Sequence, residues 1–234
     1  MKTNRKPALA AGIALLIMAV VAALTYGYIH NSLVVPGDAE TTVENIRSNG
    51  LLFHIEVIGW FFILLLDVIV AWALYLFFKN ENQNLSFIMA GLRVVFTIIF
   101  AVAIFSLIPV LRIANGNIAV VQEIIGKQIM NDLESFEKVW SFSLIIFGFH
   151  LFALGILVFR SKYIHNFWGI VLVFVAVSYV LIHSAKFLSP ESENLINITE
   201  MVLMLPMTFG EVGFAFWLII WGVKPKTIYK TPMN

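Results

Sequence analysis

The chain contains no cysteine, which excludes a disulfide framework, a thiolate metal site and a cysteine nucleophile. Charge is also scarce. Only 12% of the 234 residues are charged and the formal net charge is +1, whereas a soluble domain usually carries about 25% charged residues. No long basic stretch interleaved with aromatics is present, so the electrostatic footprint of a nucleic-acid binder is missing. Internal repeats are absent as well, which removes the inverted-repeat signature of many transporters. Neither a G-x-S-x-G nor an H-E-x-x-H pattern, nor a glycine loop able to cradle phosphate, occurs anywhere in the chain. No cofactor motif stands out.

What the chain has is apolar length. It is 60% hydrophobic, with a mean hydropathy of +0.91, and the apolar residues gather into runs of about 20 or more, the length that crosses roughly 30 Å of hydrocarbon. The runs read as spans over about 8–29, 51–78, 85–111, 138–159, 164–188 and 195–223. These define a single transmembrane domain over 1–234, an all-α polytopic integral membrane bundle of six helices. The basic flank of Lys2, Arg5 and Lys6 resembles a secretory n-region. The run that follows exceeds a signal h-region, so the first span is read as a retained anchor.

Between the first two spans lies a polar segment from His30 to Gly50, in which Asp38 is placed to cap a short surface helix. Between Arg112 and Glu137, the residues Ile118, Val121, Ile124, Ile125 and Ile129 recur at helical spacing, as expected of an amphipathic surface helix. Pro109 falls near the end of the third span, and Pro206 breaks the sixth. Trp217 and Trp221 form an aromatic belt.

The flanks on the side of the N-terminus carry Lys2, Arg5, Lys6, Lys79, Arg160, Lys162, Lys224, Lys226 and Lys230, against Arg47, Arg112, Lys127, Lys138 and Lys186 on the other side. Positive residues favour the cytoplasm. Both termini are therefore expected inside, with the surface helices extracytoplasmic.

The segments VPGD (Val35 to Asp38), LRVVF around Arg93, GFHLFALGILVFRS (Gly148 to Ser161) and LPMTFGEVGFAFWLIIWGV (Leu205 to Val223) occur in an order that resembles the uncharacterised bacterial membrane family catalogued as domain of unknown function 4386. The resemblance covers nearly the whole chain. It implies the membrane fold and a bacterial cytoplasmic membrane location, and it supplies no activity. Where similar sequences read Ser-Gly-Tyr-Ile-Pro, this chain has Ser161-Lys162-Tyr163-Ile164-His165, so its fourth turn is expected to differ in shape.

Ionisable side chains within spans are costly, by about 2.5 to 3.5 kcal/mol at a helix centre for Arg, Lys or Asp, and each calls for a partner. Counted from the cytoplasmic helix ends at about 1.5 Å per residue, Arg93 lies about 12 Å deep, His150 about 14 Å, Asp67 about 16 Å and Glu211 about 18 Å. All four share one layer. Asp67 and Arg93 stand on consecutive antiparallel helices, which favours an ion pair, and Glu211 is expected to accept from the His150 imidazole or to share the guanidinium. Packing glue that fixes helix register would explain the same four residues.

A second, outer layer is expected from Glu56, Tyr179, His183, Lys186 and Glu200. Glu56 and Asp67 are separated by about three helical turns, as are Glu200 and Glu211, which returns each pair to one face. On the fifth span Tyr179, His183 and Lys186 share a stripe from which His183 is expected to approach Glu200 or Glu56. His54 points to a different face from Glu56. Ser143, one heptad before His150, is a hydroxyl without a nucleophile motif.

Three functions fit these residues. The first is a bundle that binds or translocates a proton, an ion or a small amphiphile through its mid-membrane layer. The second is an intramembrane metal-dependent hydrolase or transferase using His54, Glu56, His183 and Glu200. The third is a structural or assembly subunit. The expected surroundings are the lipid bilayer and a small ion or amphiphile, with no nucleic acid.

Overall fold

A computed structural model describes residues 5–114 and 122–222. Its elements are helical, and among the described residues there is no strand. Six helices are long and apolar enough to cross a membrane, over Arg5–Leu33, Gly50–Phe78, Gln83–Arg112, Gly126–Arg160, Asn166–Leu188 and Asn194–Ile220. The chain is a multi-pass membrane protein by this measure. Lys2, Lys224, Lys226 and Lys230, which carry much of the basic bias, lie outside the described residues, as do Ile118 and Val121.

The first span is composite: α1 (Arg5–Ala22) runs into a π-helical stretch, Ala23–His30, and ends in the single turn α2 (Asn31–Leu33). The next element, α3 (Ala39–Ser48), is the short surface helix, and Asp38 caps it as its sequence position implies: the carboxylate accepts from the Thr41 amide at 3.0 Å and from the Thr41 hydroxyl at 2.7 Å. These bonds hold the Asp38 carboxyl below its ordinary range. The second span is α4 (Gly50–Phe78), and Asn82 then caps α5 (Gln83–Phe105) through the Leu85 amide. A break at Ser106 and Leu107 separates α5 from α6 (Ile108–Ala114). Pro109 has no N–H to return to the Phe105 carbonyl, so the regular ladder stops there.

The fourth span departs from expectation. In place of a surface helix followed by a span beginning near Lys138, one helix, α7 (Gln122–Arg160), runs for 39 residues. At about 1.5 Å per residue its length is nearly twice the hydrocarbon thickness. The extra turns bury Ile129, Leu133 and Phe136, an apolar stripe at helical spacing, and they pack on α3. The same stripe that reads as a surface helix is the projecting end of a spanning one.

After α7, His165 occupies the N-cap of α8 (Asn166–Leu188), where its ring nitrogen accepts from the Phe167 amide at 3.1 Å. A proline there would offer no such side-chain acceptor, which gives the altered fourth turn its own closure. The final helix, α9 (Glu193–Ile220), continues through Pro206, so the expected break does not occur. Neighbouring helices in a membrane can accommodate such a proline.

The six spans pack as a closed ring in chain order: α1 on α4, α4 on α5, α5 on α7, α7 on α8, α8 on α9, and α9 back on α1. Small residues permit the close approaches. Ala8, Ala11 and Ala14 of α1 are buried, and a side chain added at Gly148 of α7 would meet Val180 and the Ala176 carbonyl of α8.

Candidate functional site

Arg93 of α5 reaches toward the axis of this ring. Its Nη2 contacts Asp67 Oδ1 of α4 at 2.6 Å, and both side chains are buried. Nη1 lies 3.2 Å from His150 Nε2 of α7, Nη2 lies 4.0 Å from the Met18 sulfur of α1, and the guanidinium sits over the Phe147 ring at 5.3 Å from its centroid. One cation therefore touches three other helices. A charge buried inside a bundle of apolar spans is tolerable only with such neighbours.

The imidazole of His150 has a definite orientation. Its Nδ1–H donates to the Met89 carbonyl at 2.8 Å, which leaves the Nε2 lone pair facing Arg93. Glu211 therefore does not receive the imidazole proton, contrary to the sequence expectation. Its Oε1 instead accepts from the Tyr179 hydroxyl at 2.9 Å. Tyr179 thus belongs with Glu211 and not with the expected outer layer.

Between these side chains lies a small cavity of about 10 Å3, lined by Leu15, Leu74, Arg93, Leu151, Leu154, Leu172, Glu211 and Phe214. All six spans contribute to that lining. The volume is near the smallest that holds one water. Close by, the charges are incompletely satisfied: although Asp67 touches Arg93, neither carboxylate oxygen receives an aligned hydrogen bond, and Arg93 Nε–H has no acceptor among the described residues. Buried polar groups with open valences of this kind are uncommon.

A larger groove of about 300 Å3 lies between α7 and α8, lined by Gly148, Phe149, Phe152, Ala176, Val177, Val180 and Leu181. With an entirely apolar lining, it offers nothing that would orient a polar ligand.

The expected outer layer separates into independent contacts. Lys186 pairs with Glu200 at 2.7 Å, both partly exposed. His183 shares a hydrogen bond with Ser141 at 2.8 Å and stacks on Tyr179, so it approaches neither Glu200 nor Glu56 through a polar contact. His54 bonds the Gly50 carbonyl of its own helix at 2.7 Å. Ser143 donates to the Trp140 carbonyl at 2.6 Å, which occupies the hydroxyl proton that a nucleophile would give up. Among the described residues no three His, Asp or Glu side chains are arranged to hold a metal ion. The His54, Glu56, His183 and Glu200 grouping does not assemble.

Glu56 has a partner absent from the sequence reading. His30, at the end of the first span, donates Nδ1–H to Glu56 Oε1 at 2.7 Å, and Trp60 Nε1 lies 3.4 Å from the same oxygen. The second nitrogen, Nε2, faces Glu137 Oε1 of α7 at 3.6 Å. By composition His30 opens the polar flank after the first span and reads as loop. The π-helical stretch, invisible to a 3.6-residue period, turns it inward.

Comparison with known proteins agrees with this architecture in family only. The model of a family described as a domain of unknown function, DUF4386, matches residues 10–222. The chain belongs to that family. It is 30% identical over 179 residues to an uncharacterized protein of Archaeoglobus fulgidus, an alignment that covers 76% of this chain and 90% of the archaeal one. No solved structure matches. The DUF4386 match extends over all six spans and so includes every residue of the Arg93 group.

Proposed function

We propose that this DUF4386 protein is a proton-translocating bundle whose working layer is Asp67, Arg93, His150, Tyr179 and Glu211. One observation carries the reading: a single cavity, lined from all six spans, is flanked by Arg93 and Glu211 while the adjoining Asp67 carboxylate keeps unsatisfied oxygens. A register-fixing network gains most when every member is paired. The size of the space favours water and protons over an amphiphile. His150, with its N–H committed to Met89, serves to position Arg93, and the two carboxylates are the groups that exchange protons.

The basic flanks favour cytoplasmic termini and extracytoplasmic surface helices. We assign the protein to a bacterial cytoplasmic membrane on the same resemblance that gives its family. The lipid bilayer is then its solvent and the proton its ligand.

Proteoliposomes carrying a trapped pH dye test the reading. Under an imposed pH gradient and potassium-clamped potential, the wild-type protein should dissipate the gradient faster than protein-free vesicles. Asp67→Asn and Glu211→Gln should each slow that dissipation by about tenfold or more. Equal rates for both variants and the wild type would overturn the assignment.

A further inference from the structure

A second polar cluster is built from residues outside the Arg93 group: His30 on the first span, Glu56 on α4 and Glu137 on α7. Glu56 and His30 are buried, at 0% and 2% exposure, whereas the Glu137 side chain is 51% exposed. The imidazole therefore has an exposed carboxylate at one nitrogen and an enclosed one at the other.

Two atoms of this cluster have no hydrogen-bond partner among the described residues: His30 Nε2 and Glu56 Oε2. Nε2 is the nitrogen that faces Glu137. Oε2 is the free oxygen of the enclosed carboxylate. Aromatic rings wall the path from the sides: Tyr26 stacks on His30 at 5.1 Å, Phe136 lies 6.2 Å away, and Trp140 meets Tyr26 edge-on at 4.8 Å. These rings enclose the imidazole beside its two carboxylates.

The first span is shaped for this contact. The wide π turn ends at His30, and Gly59 of α4 lies so close to Thr25 that a methyl group added there would collide with it. This close approach of the first span to α4 lets a short imidazole reach Glu56.

We infer that Glu137, His30 and Glu56 form a proton relay from the surface-helix end of the bundle into its interior. The inference rests on the proton-translocating reading above and adds the route by which that end is reached. Glu137 takes a proton from solvent and passes it to His30 Nε2, while the His30 Nδ1 proton moves to Glu56 Oε1. The ring gains one proton and loses one, Glu137 returns to its carboxylate, and Glu56 becomes the acid. Loss of that proton and tautomer exchange at His30 restore the start. The charged and titratable groups that face His30 are Tyr26 on its own helix, Glu56 on α4 and Glu137 on α7. Glu200 of α9 stands within electrostatic reach of Tyr26.

The test uses full-length protein with 15N-labelled histidine in lipid nanodiscs, with the His30 signals identified by their loss in His30→Gln. Exchange of the His30 ring proton with solvent should slow by about tenfold or more in Glu137→Gln, a substitution at a half-exposed side chain. Glu56→Gln should change the ratio of the two His30 tautomers. Lys138→Gln, whose partner is Glu134, should change neither. Exchange at His30 that is the same in Glu137→Gln as in wild type overturns the relay, whatever the proteoliposome flux. If Glu137 controls exchange at His30 but no flux is found, translocation fails and the relay stands as a proton-binding site.

Discussion

Arg93 and His150 meet in one sense only: the guanidinium donates through Nη1 to the Nε2 lone pair at 3.2 Å, because the imidazole N–H is already given to Met89. The histidine acts as a neutral acceptor that fixes the cation without opposing its charge. The countercharge comes from Asp67, at the other terminal nitrogen of the guanidinium. This division of labour separates residues that hold Arg93 in place from those able to trade a proton.

The tautomer is directly measurable. In 15N spectra of the protein at neutral pH, His150 should show the Nδ1–H form, in contrast to the Nε2–H form that free imidazoles prefer. His150→Phe leaves the Met89 carbonyl and Arg93 Nη1 without their partner and should cost about 1–3 kcal/mol in a reversible unfolding titration. An Nε2–H tautomer, or a fully stable Phe variant, would contradict the geometry.

Removing one member of the Asp67–Arg93 pair should be worse than removing both. Asp67→Asn leaves an uncompensated cation in the membrane and should destabilise the bundle by about 3–5 kcal/mol, whereas Asp67→Asn with Arg93→Met should recover much of that loss. Unfolding of purified protein in mixed micelles measures both. Additive losses would show that the 2.6 Å contact carries no coupling.

How much of this was legible in sequence depended on whether depth and connectivity sufficed. Asp67 and Arg93 could be paired because they lie on consecutive helices joined by a short turn, where depth alone sets the match. Glu211 has no such link to Tyr179, since a residue count along α8 places the tyrosine in an outer layer and takes no account of the reach of its long ring. His30 was hidden for another reason. A π-helical stretch shifts side-chain direction without any change in composition, so neither its inward turn nor the Glu56 contact has a periodic signature. In α7, the polar residues before Lys138 read as a separate surface helix, yet the buried Ile129, Leu133 and Phe136 show that packing on α3 sustains one continuous helix.

Acid should loosen the surface helix before it affects the spans. Because the Asp38 carboxyl is held below its ordinary range by the Thr41 bonds, its contribution to α3 is present above the unfolded value and lost as pH falls through the folded one. Amide protection at Thr41 should therefore decline below the usual carboxylate range, and Asp38→Ala should show the same low protection at neutral pH. Protection that is independent of pH in the wild type would remove the cap from the account.

Close helix approach predicts a packing penalty at Gly148, which faces α8. Gly148→Val would drive a side chain into Val180 and the Ala176 carbonyl, and overpacking of this kind costs about 1–3 kcal/mol. The loss should appear as a lower denaturation midpoint in detergent. An unchanged midpoint would mean that α7 and α8 are less tightly apposed than the ring requires.

Glu211 and Tyr179 provide the sharpest separation between a proton site and packing glue. The Tyr179 hydroxyl is the protein donor to Glu211 Oε1 at 2.9 Å, so Tyr179→Phe removes one hydrogen bond while leaving the carboxyl group able to bind and release a proton. Glu211→Gln keeps nearly the same shape and removes the exchangeable acid. If the pair serves transfer, Glu211→Gln should abolish proton flux in proteoliposomes, whereas Tyr179→Phe should retain flux at an altered rate. If the pair serves only packing, the order reverses in the quantity that matters: unfolding midpoints should fall for Tyr179→Phe, with the glutamine variant nearly neutral because its amide can still accept from the tyrosine. Measuring flux and midpoint on the same two variants decides between these orders, and wild-type flux in Glu211→Gln would set Glu211 aside as a proton-carrying group.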